Sequence, residues 1–351
     1  MKRIILFVLC ICLSSCSALA DMEVHFLSVG NADAAMIVAD GHVLLIDGGK
    51  SGSSQLIYSY LKNTLHAAHI DAVIATHPHA DHIGGLPAAF NACTVERVFS
   101  SVPMDAEDSA PVCDTREFRS LVKYARKQGL DLMIPQRGER LQLDGLTVEF
   151  LSGGCTGDLS ALNSSGVNNL SLIVRVSYGS VSFLFTGDAE WEGEQAALSD
   201  CGDSLRATVL KVAHHGSGTS SCTEFLQAVA PRYAVISCDE NAGYGHPSGE
   251  TLARLGALSI PCYRLDRCGT LICRTDGETL SFSAPLPEAY PNEAEEKPPS
   301  SAAYIGNRNS KRFHVPDCAS VAAMKEKNRV GLASREEALE KGYKPCGNCH
   351  P

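Results

Sequence analysis

Residues 76–82 read Thr-His-Pro-His-Ala-Asp-His, which places His77, His79, Asp81 and His82 at the exit of the apolar run 71–76. Imidazole and carboxylate are transition-metal ligands, and a cluster of this kind can address a pair of ions. A His-x-His-x-Asp-His run cannot put all four side chains on one face of a helix or a strand. Their convergence predicts a sharp loop, and Gly84-Gly85 just afterwards permits a close backbone turn. Position directly after a buried strand favours ligands over four solvated loop residues.

A second stretch, LKVAHHGSGTSS (210–221), delivers His214 and His215 from a strand into a Gly/Ser loop. Phosphoryl chemistry needs donors for non-bridging oxygens and an acid for the leaving oxygen. His215, Ser217 and the loop amides could supply both, and His214 or His215 could instead ligate metal. A third constellation lies at the end of the chain, with His314-x-x-x-Cys318 and Cys346-x-x-Cys349. That spacing predicts a Zn2+ site, and four such ligands leave no open position, so the zinc would be structural. A disulfide is the rival use of these thiols. A module of about fifty residues needs such a staple because its core is too small alone. Around it Lys311, Arg312, Lys325, Lys327 and Arg329 predict a basic face suited to phosphate backbones.

On THPHADH the chain resembles the metallo-β-lactamase fold hydrolases, with HVLLIDGG (42–49) matching the strand that usually precedes that signature. The resemblance covers roughly residues 22–282 and implies an α/β fold, a four-layer αβ/βα sandwich with the site at its rim. It implies His77 and His79 on one metal and Asp81 and His82 on a second. Asp188, where FLFTGDAE (183–190) runs from a strand into Thr-Gly-Asp, would be the bridging aspartate, and His246 in NAGYGHPSGE the last histidine. The family usually supplies one more histidine, yet none occurs from 83 to 213. The comparable stretch is GVNNLSLIVRV (166–176), from which Asn169 is expected to face the site. An amide oxygen is a harder, weaker ligand than imidazole, so a harder ion such as Mn2+ is expected beside Zn2+. FLSVGNADA, LLIDGG, NNLSL, FTGD, KVAHHGS and YGHP together resemble the hydrolase domain of the ComEC-type competence proteins. Those relatives usually read Asp-Val-Gly-Gln-Gly-Asp where this chain reads SVGNAD (28–33), which keeps Asp33 and changes Ser28 and Asn31. The tail resembles the metal-binding domain of the Ada repair protein. His314 replaces one of that domain's four cysteines, which removes the reactive-thiol role from the position.

The elements that must hold these residues can also be read. Short β-rich runs occur at 23–29, 34–39 and 42–49, with an Asp40-Gly41 turn signal between the last two, then at 71–76 and 95–101. Residues 54–66 and 115–129 show helical patterning, and Gly129 stops the second. Strands are expected at 146–151, 170–178, 181–186, 207–213, 233–237, 261–265 and 270–275, with a helix near 222–229. Strands in two runs with helices between them predict a layered α/β body. Residues 285–302, in a Pro/Glu/Ser-rich stretch without periodicity, read as a linker. The expected division is therefore a body at 21–284, the linker, and a zinc module at 303–351.

The 351 residues are 44% hydrophobic and 20% charged, an ordinary globular balance. A net charge of −10 excludes a global basic field, although 302–351 holds nine Lys/Arg against five Asp/Glu. Residues 1–20 read as a secretory signal cleaved before Asp21, while LSSC offers an alternative lipid anchor on Cys16. No later apolar run reaches eighteen residues, so nothing else is expected to span a membrane. Twelve cysteines follow the signal, which in an exported chain invites disulfides. The expectation is a secreted or cell-surface phosphodiesterase, a DNA nuclease attacking phosphorus with metal-bound hydroxide. It would carry two divalent ions and hold DNA with its tail. The alternatives are an ester or lactone hydrolase of the same fold, and a non-catalytic DNA-binding or uptake protein.

Overall fold

A computed structural model describes residues 22–106, 113–155, 159–239, 241–243, 245–287, 304–316, 318–322, 324–325, 328–347, 349 and 351. The expected signal with Cys16, linker residues 288–302 and Lys327 lie outside the described residues.

Two large sheets form the body. The first has eight strands in the order Leu280–Phe282, Leu271–Thr275, Met22–Phe26, Ala34–Ala39, His42–Gly48, Ala72–Ala75, Val98–Ser100 and Leu132–Met133. The second has seven, in the order Cys262–Arg264, Tyr233–Ile236, Val209–Lys211, Val181–Phe185, Val174–Tyr178, Leu146–Phe150 and Arg140–Leu143. Each sheet is antiparallel in part and parallel in part, with the 42–48, 72–75, 98–100 and 132–133 strands parallel in one and the 181–185, 209–211, 233–236 and 262–264 strands parallel in the other.

Strand side chains alternate between faces, and here both faces are covered. Val24, Phe26, Ile37, Leu44 and Ile74 of the first sheet meet Val148, Val176, Phe183 and Val235 of the second in one inner core. Met36, Leu45 and Val73 point the other way, against Ile57, Phe90, Phe118 and Leu121 of the first helical layer. Leu184, Leu210 and Ala234 likewise face Ala197, Phe225 and Leu255 of the second. That is the four-layer αβ/βα sandwich. Burial on both faces explains why the strands read as continuous apolar runs such as Val43-Leu44-Leu45-Ile46.

The helices follow local rules. Arg116–Lys127 buries Phe118, Leu121, Val122 and Ala125, and the Thr115 hydroxyl caps it by accepting from the Phe118 amide at 3.1 Å. Several helices had no expected counterpart, among them Trp191–Cys201, where only Glu194 and Ala197 are buried, and Gly249–Ala257, capped by Ser248. Such short apolar stripes leave a weak periodic signal. A third sheet of Arg329–Leu332, Tyr304–Asn307, Arg312–His314 and Lys344–Pro345 builds the tail around Tyr304, Phe313, Leu332, Ala338 and Tyr343.

The histidine cluster departs from the expected loop. His79 is extended (φ −68°, ψ 148°) and starts a helical turn, Ala80–Ile83, that carries Asp81 and His82. The turn sits tightly on the first sheet, where Gly85 donates its amide to the Gly49 carbonyl. A Cβ on Gly85 would lie 2.0 Å from the Gly48 carbonyl oxygen, a backbone atom that cannot swing aside. Gly85→Ala is therefore expected to cost about 3 kcal/mol or more in urea unfolding, at the upper end of overpacking penalties. An unchanged midpoint would mean the turn can move off the sheet.

Candidate metal centre

The strands of both sheets deliver their chemistry to one rim. Ala72–Ala75 leads into Thr76 and His77, His42–Gly48 carries Asp47, and Ala34–Ala39 is preceded by Asp33. From the second sheet, Val181–Phe185 runs into Thr186-Gly187-Asp188 and Val209–Lys211 into His214 and His215. Gly187 is required by its surroundings. Its φ is +50°, and a Cβ there would meet Ser171 Oγ at 2.7 Å and Thr76 Oγ1 at 2.9 Å.

Asp188 sits at the middle. Its carboxylate lies 3.1 Å from His82 Nε2, 3.6 Å from His215 Nε2, and 3.8 Å from both His77 Nε2 and His214 Nε2. His77 Nε2 and His79 Nδ1 are 3.1 Å apart, and His215 Nε2 is 3.7 Å from the Asp81 carboxylate. His77, His82 and Asp188 bring one ligand atom each within 4.8 Å of one another, and so do Asp81, His82 and His215. Six of the residues expected from the sequence thus meet: His77, His79, Asp81, His82, Asp188 and His215.

Three placements sharpen or revise the expectation. His215 stands beside Asp81 and His82, while the His246 ring lies against that of His214 at 5.6 Å and feels the charge of Asp188. Asn169 is spent elsewhere, since its Oδ1 accepts the Glu190 and Gly193 amides at 2.9 and 3.0 Å at the start of the Trp191–Cys201 helix. Its neighbour Asn168 is the buried one and donates to Glu190 at 2.8 Å. Ser217 turns its hydroxyl to Thr219 at 3.0 Å, so it shapes the loop. That loop is strained, because His214 and His215 both adopt left-handed conformations (φ 50° and 53°), ahead of Gly216 at φ 82°. Left-handed non-glycine residues each cost on the order of 1–2 kcal/mol and persist where the surroundings hold them.

The outer contacts had no assigned role in the sequence. Asp47 receives His82 Nδ1 at 2.8 Å and the Thr76 amide and hydroxyl at 2.9 and 2.7 Å. Asp33 lies between Lys211 Nζ at 2.6 Å and His215 Nδ1 at 3.3 Å. Ser171 Oγ accepts the Asp188 amide at 3.0 Å and reaches His77 Nδ1 at 3.4 Å. Orienting partners of this sort fix which ring nitrogen faces a metal. The available signal was an acidic residue at the end of each apolar run.

The charge balance tests whether metal ions fit. Among the described residues, Asp33, Asp47, Asp81, Asp188 and Glu190 gather here against one ammonium, Lys211, and all but Asp81 are buried. Five carboxylates and one ammonium leave four negative charges, which two divalent cations match. Moreover, the buried atoms His82 Nε2, His215 Nε2 and Asp188 Oδ1 converge without a directed hydrogen bond. Without metal, protons fill this role. Burial disfavours charged His215, but Asp188 and Asp33 raise its pKa to about 9, and Asp188 and Asp47 hold His82 well above the imidazole range against the same penalty. Burial opposes the Asp33 carboxylate too, yet Lys211 and His215 pull it down to about 2.

Residues 27–239 match the metallo-beta-lactamase superfamily, more than half of the chain. The chain belongs to that superfamily of metal-dependent hydrolases. Residues 293–351 match the metal-binding domain of Ada. The metallo-beta-lactamase chain is 31% identical to ComE operon protein 3 of Bacillus subtilis over 294 residues, 78% of this chain and 35% of the relative. It is 29% identical to competence protein ComA of Neisseria gonorrhoeae over 228 residues, 65% of this chain and 28% of the relative. It spans about a third of the length of these curated relatives. Among solved structures, the metallo-beta-lactamase fold protein YhfI of Bacillus subtilis matches 73% of this chain and 100% of its own at 14% identity and TM-score 0.45. The ComEC-type subfamily and the Ada module of the sequence reading are thus both found.

In that module, His314, Cys318, Cys346 and Cys349 bring their ligand atoms within 4.8 Å of one another, as a closed zinc site requires. Burial opposes a Cys318 thiolate, but hydrogen bonds from the Ser320 amide and the neighbouring thiols pull its pKa below the usual thiol range. No disulfide joins any of the twelve cysteines among the described residues. Among those residues too, no helix is long and apolar enough to cross a membrane.

Because metal must displace protons from His82 and His215, binding is expected to release protons at neutral pH. Apparent affinity should rise as pH climbs toward about 9, where His215 gives up its own proton. Calorimetric titration of the metal-free chain with Mn2+ in two buffers of different ionisation enthalpy checks this. A heat independent of the buffer would contradict it.

Proposed function

We propose that this hydrolase is an exported phosphodiesterase that cuts DNA at the rim centre. The observation that carries this reading is the meeting of His77, His79, Asp81, His82, Asp188 and His215 around a negative charge that two divalent ions match. His77 and His79 would hold one ion, Asp81, His82 and His215 the other, with Asp188 facing both. Bound there, divalent ions supply Lewis acidity and an activated water for attack on phosphorus. The relatives named for competence and the tail matching a domain of Ada support a phosphodiester over a lactone. Neither name describes this chain's own substrate.

The chain's residues have distinct tasks in this reading. Asp47 and Asp33 fix the rings of His82 and His215 through their Nδ1 atoms. His215, 1% exposed and tied through Nδ1 to the Ser237 carbonyl and Asp33, turns Nε2 into the cluster and serves as a ligand, the second of the two uses its sequence allowed. His214 takes the acid role. Its side chain is 20% exposed, Glu190 faces its Nδ1 at 3.5 Å, and its Nε2 points toward Asp188. From there it can hand a proton to the leaving oxygen.

Asp188→Asn and Asp81→Ala are each expected to lower kcat/KM on bis-p-nitrophenyl phosphate by about a thousandfold or more, with Mn2+ or Zn2+ supplied. Plasmid nicking should fall in step. Hydrolysis of a lactone with no action on either phosphodiester would establish the ester reading. DNA binding without cleavage under any metal would establish the binder.

The proposed division is a catalytic body at 21–284, a linker at 285–302 and a zinc module at 303–351, delivered outside the cell by residues 1–20. The first residue of the mature chain is then Asp21, which N-terminal sequencing of protein from the medium reads directly. A lipidated chain starting at Cys16 in the membrane fraction would replace secretion by anchoring.

A further inference from the structure

The tail is packed on the body. Arg335 lies over the Trp191 ring at 5.1 Å, pairs with Glu192 at 3.1 Å and donates to the Pro351 carbonyl at 3.1 Å. The Tyr304 hydroxyl reaches the Glu250 carboxylate at 3.4 Å. Trp191 follows Glu190 directly, and its amide donates to Thr219 in the histidine loop at 3.0 Å. The tail therefore rests on the segments that carry the metal centre.

Between tail and body runs a groove of about 280 Å3, with Asn163, Ser165 and Glu190 on one wall and Arg312, Arg335 and Gly347 on the other. The body wall touches the centre, since Ser164 Oγ is 3.3 Å from His79 Nε2 and Ser165 donates to Glu190. On the tail side the groove opens into a second one of about 410 Å3 over Asn307, Ser310 and Ser320. The two share Arg312, Cys346 and Gly347, so they adjoin at Arg312.

The cations there are unequal. Arg335 is neutralised by Glu192. Arg312 is exposed, gives one N–H to the Pro345 carbonyl at 2.9 Å, and makes no ion pair among the described residues. It stands in register with exposed Lys344 on the adjacent strand, and exposed Arg308 and Lys311 lie on the same hairpin. Among the described residues Arg312 is thus the lining cation without an ion pair, and the groove reaches, through Ser164, to His79.

We propose that the docked tail is the outer wall of the substrate groove, and that Arg312 holds a backbone phosphate of a single DNA strand running from the hairpin to the metal centre. This rests on the phosphodiesterase reading. It names the strand's path and makes the zinc module part of the active-site cleft. A groove walled on both sides, with Arg312 as its unpaired cation among the described residues, suits one backbone, whose charge supplies the affinity.

The test uses the full chain, a fluorescein-labelled single-stranded DNA oligonucleotide, and fluorescence anisotropy over a salt series without added divalent ion. Arg312→Ala is expected to weaken binding about tenfold and to flatten the slope of log K against log salt by about one. Arg312→Glu should weaken it further. Arg119→Ala, on the helical layer of the other sheet, should bind as the unaltered chain does. Zinc content, measured on each variant, should stay constant. Unchanged binding and slope in both Arg312 variants overturn the proposal, as does a duplex that displaces the strand at equal concentration. Cleavage of bis-p-nitrophenyl phosphate by the unaltered chain is scored separately. It decides the reaction, whereas the anisotropy decides the groove whether or not the diester is cut.

Discussion

The constraint on which the rest depends is an uncompensated field. Asp33, Asp47, Asp188 and Glu190 are buried together beside Asp81, with Lys211 as their one ammonium among the described residues. Burying so many carboxylates is costly unless cations or protons answer them. The structure lets imidazoles answer, and holds His82 between two carboxylates for the purpose. A divalent ion answers the same field with two charges on one atom, so metal affinity and the cost of the empty cluster share one cause. The two sheets exist at this rim as the frame that resists the repulsion, since each contributes acids that would otherwise move apart.

That frame explains which parts of the site were legible in the sequence. His77, His79, Asp81 and His82 are contiguous, and their spacing is the message. Asp188 was legible because strand, Thr, Gly and Asp follow in a fixed order. Asn168 and Asn169 were not separable, because adjacent residues at the end of a short helix face different ways and a shift of one position exchanges them. The place of His215 beside Asp81 and His82 was hidden for a different reason. It depends on two consecutive left-handed residues, a conformation that side-chain type does not announce. Asp33 and Asp47 look like ordinary turn acids, and only their distances to His215 and His82 give them a task.

The fold was legible more fully than its details. The apolar runs marked most strands of the two main sheets because burial on both faces leaves little room for polar residues. Helices were read where a cap and a wide stripe coincide, as at Thr115 and Phe118, and missed where the buried stripe is narrow, as in Trp191–Cys201. The expected loop at the histidine cluster became a helical turn for a local reason. His79 stays extended and outside the turn, so only Asp81 and His82 ride on it, and the four side chains need not share one helical face.

The strain in the histidine loop is best understood as positioning. Two left-handed histidines in succession would relax in an unconstrained loop. Here His215 is tied to the Ser237 carbonyl at 3.1 Å and Thr251 donates to the Ser217 carbonyl at 2.7 Å, so the turn is held from both ends. The same kink that drives His215 inward leaves His214 partly open and facing Glu190. Neighbouring residues thus face differently, one buried among Asp33, Asp81 and Asp188 and the other meeting solvent beside them. An extended backbone would send successive side chains to opposite faces of the strand. The left-handed turn keeps both rings on the cluster, with their centroids 6.1 Å apart.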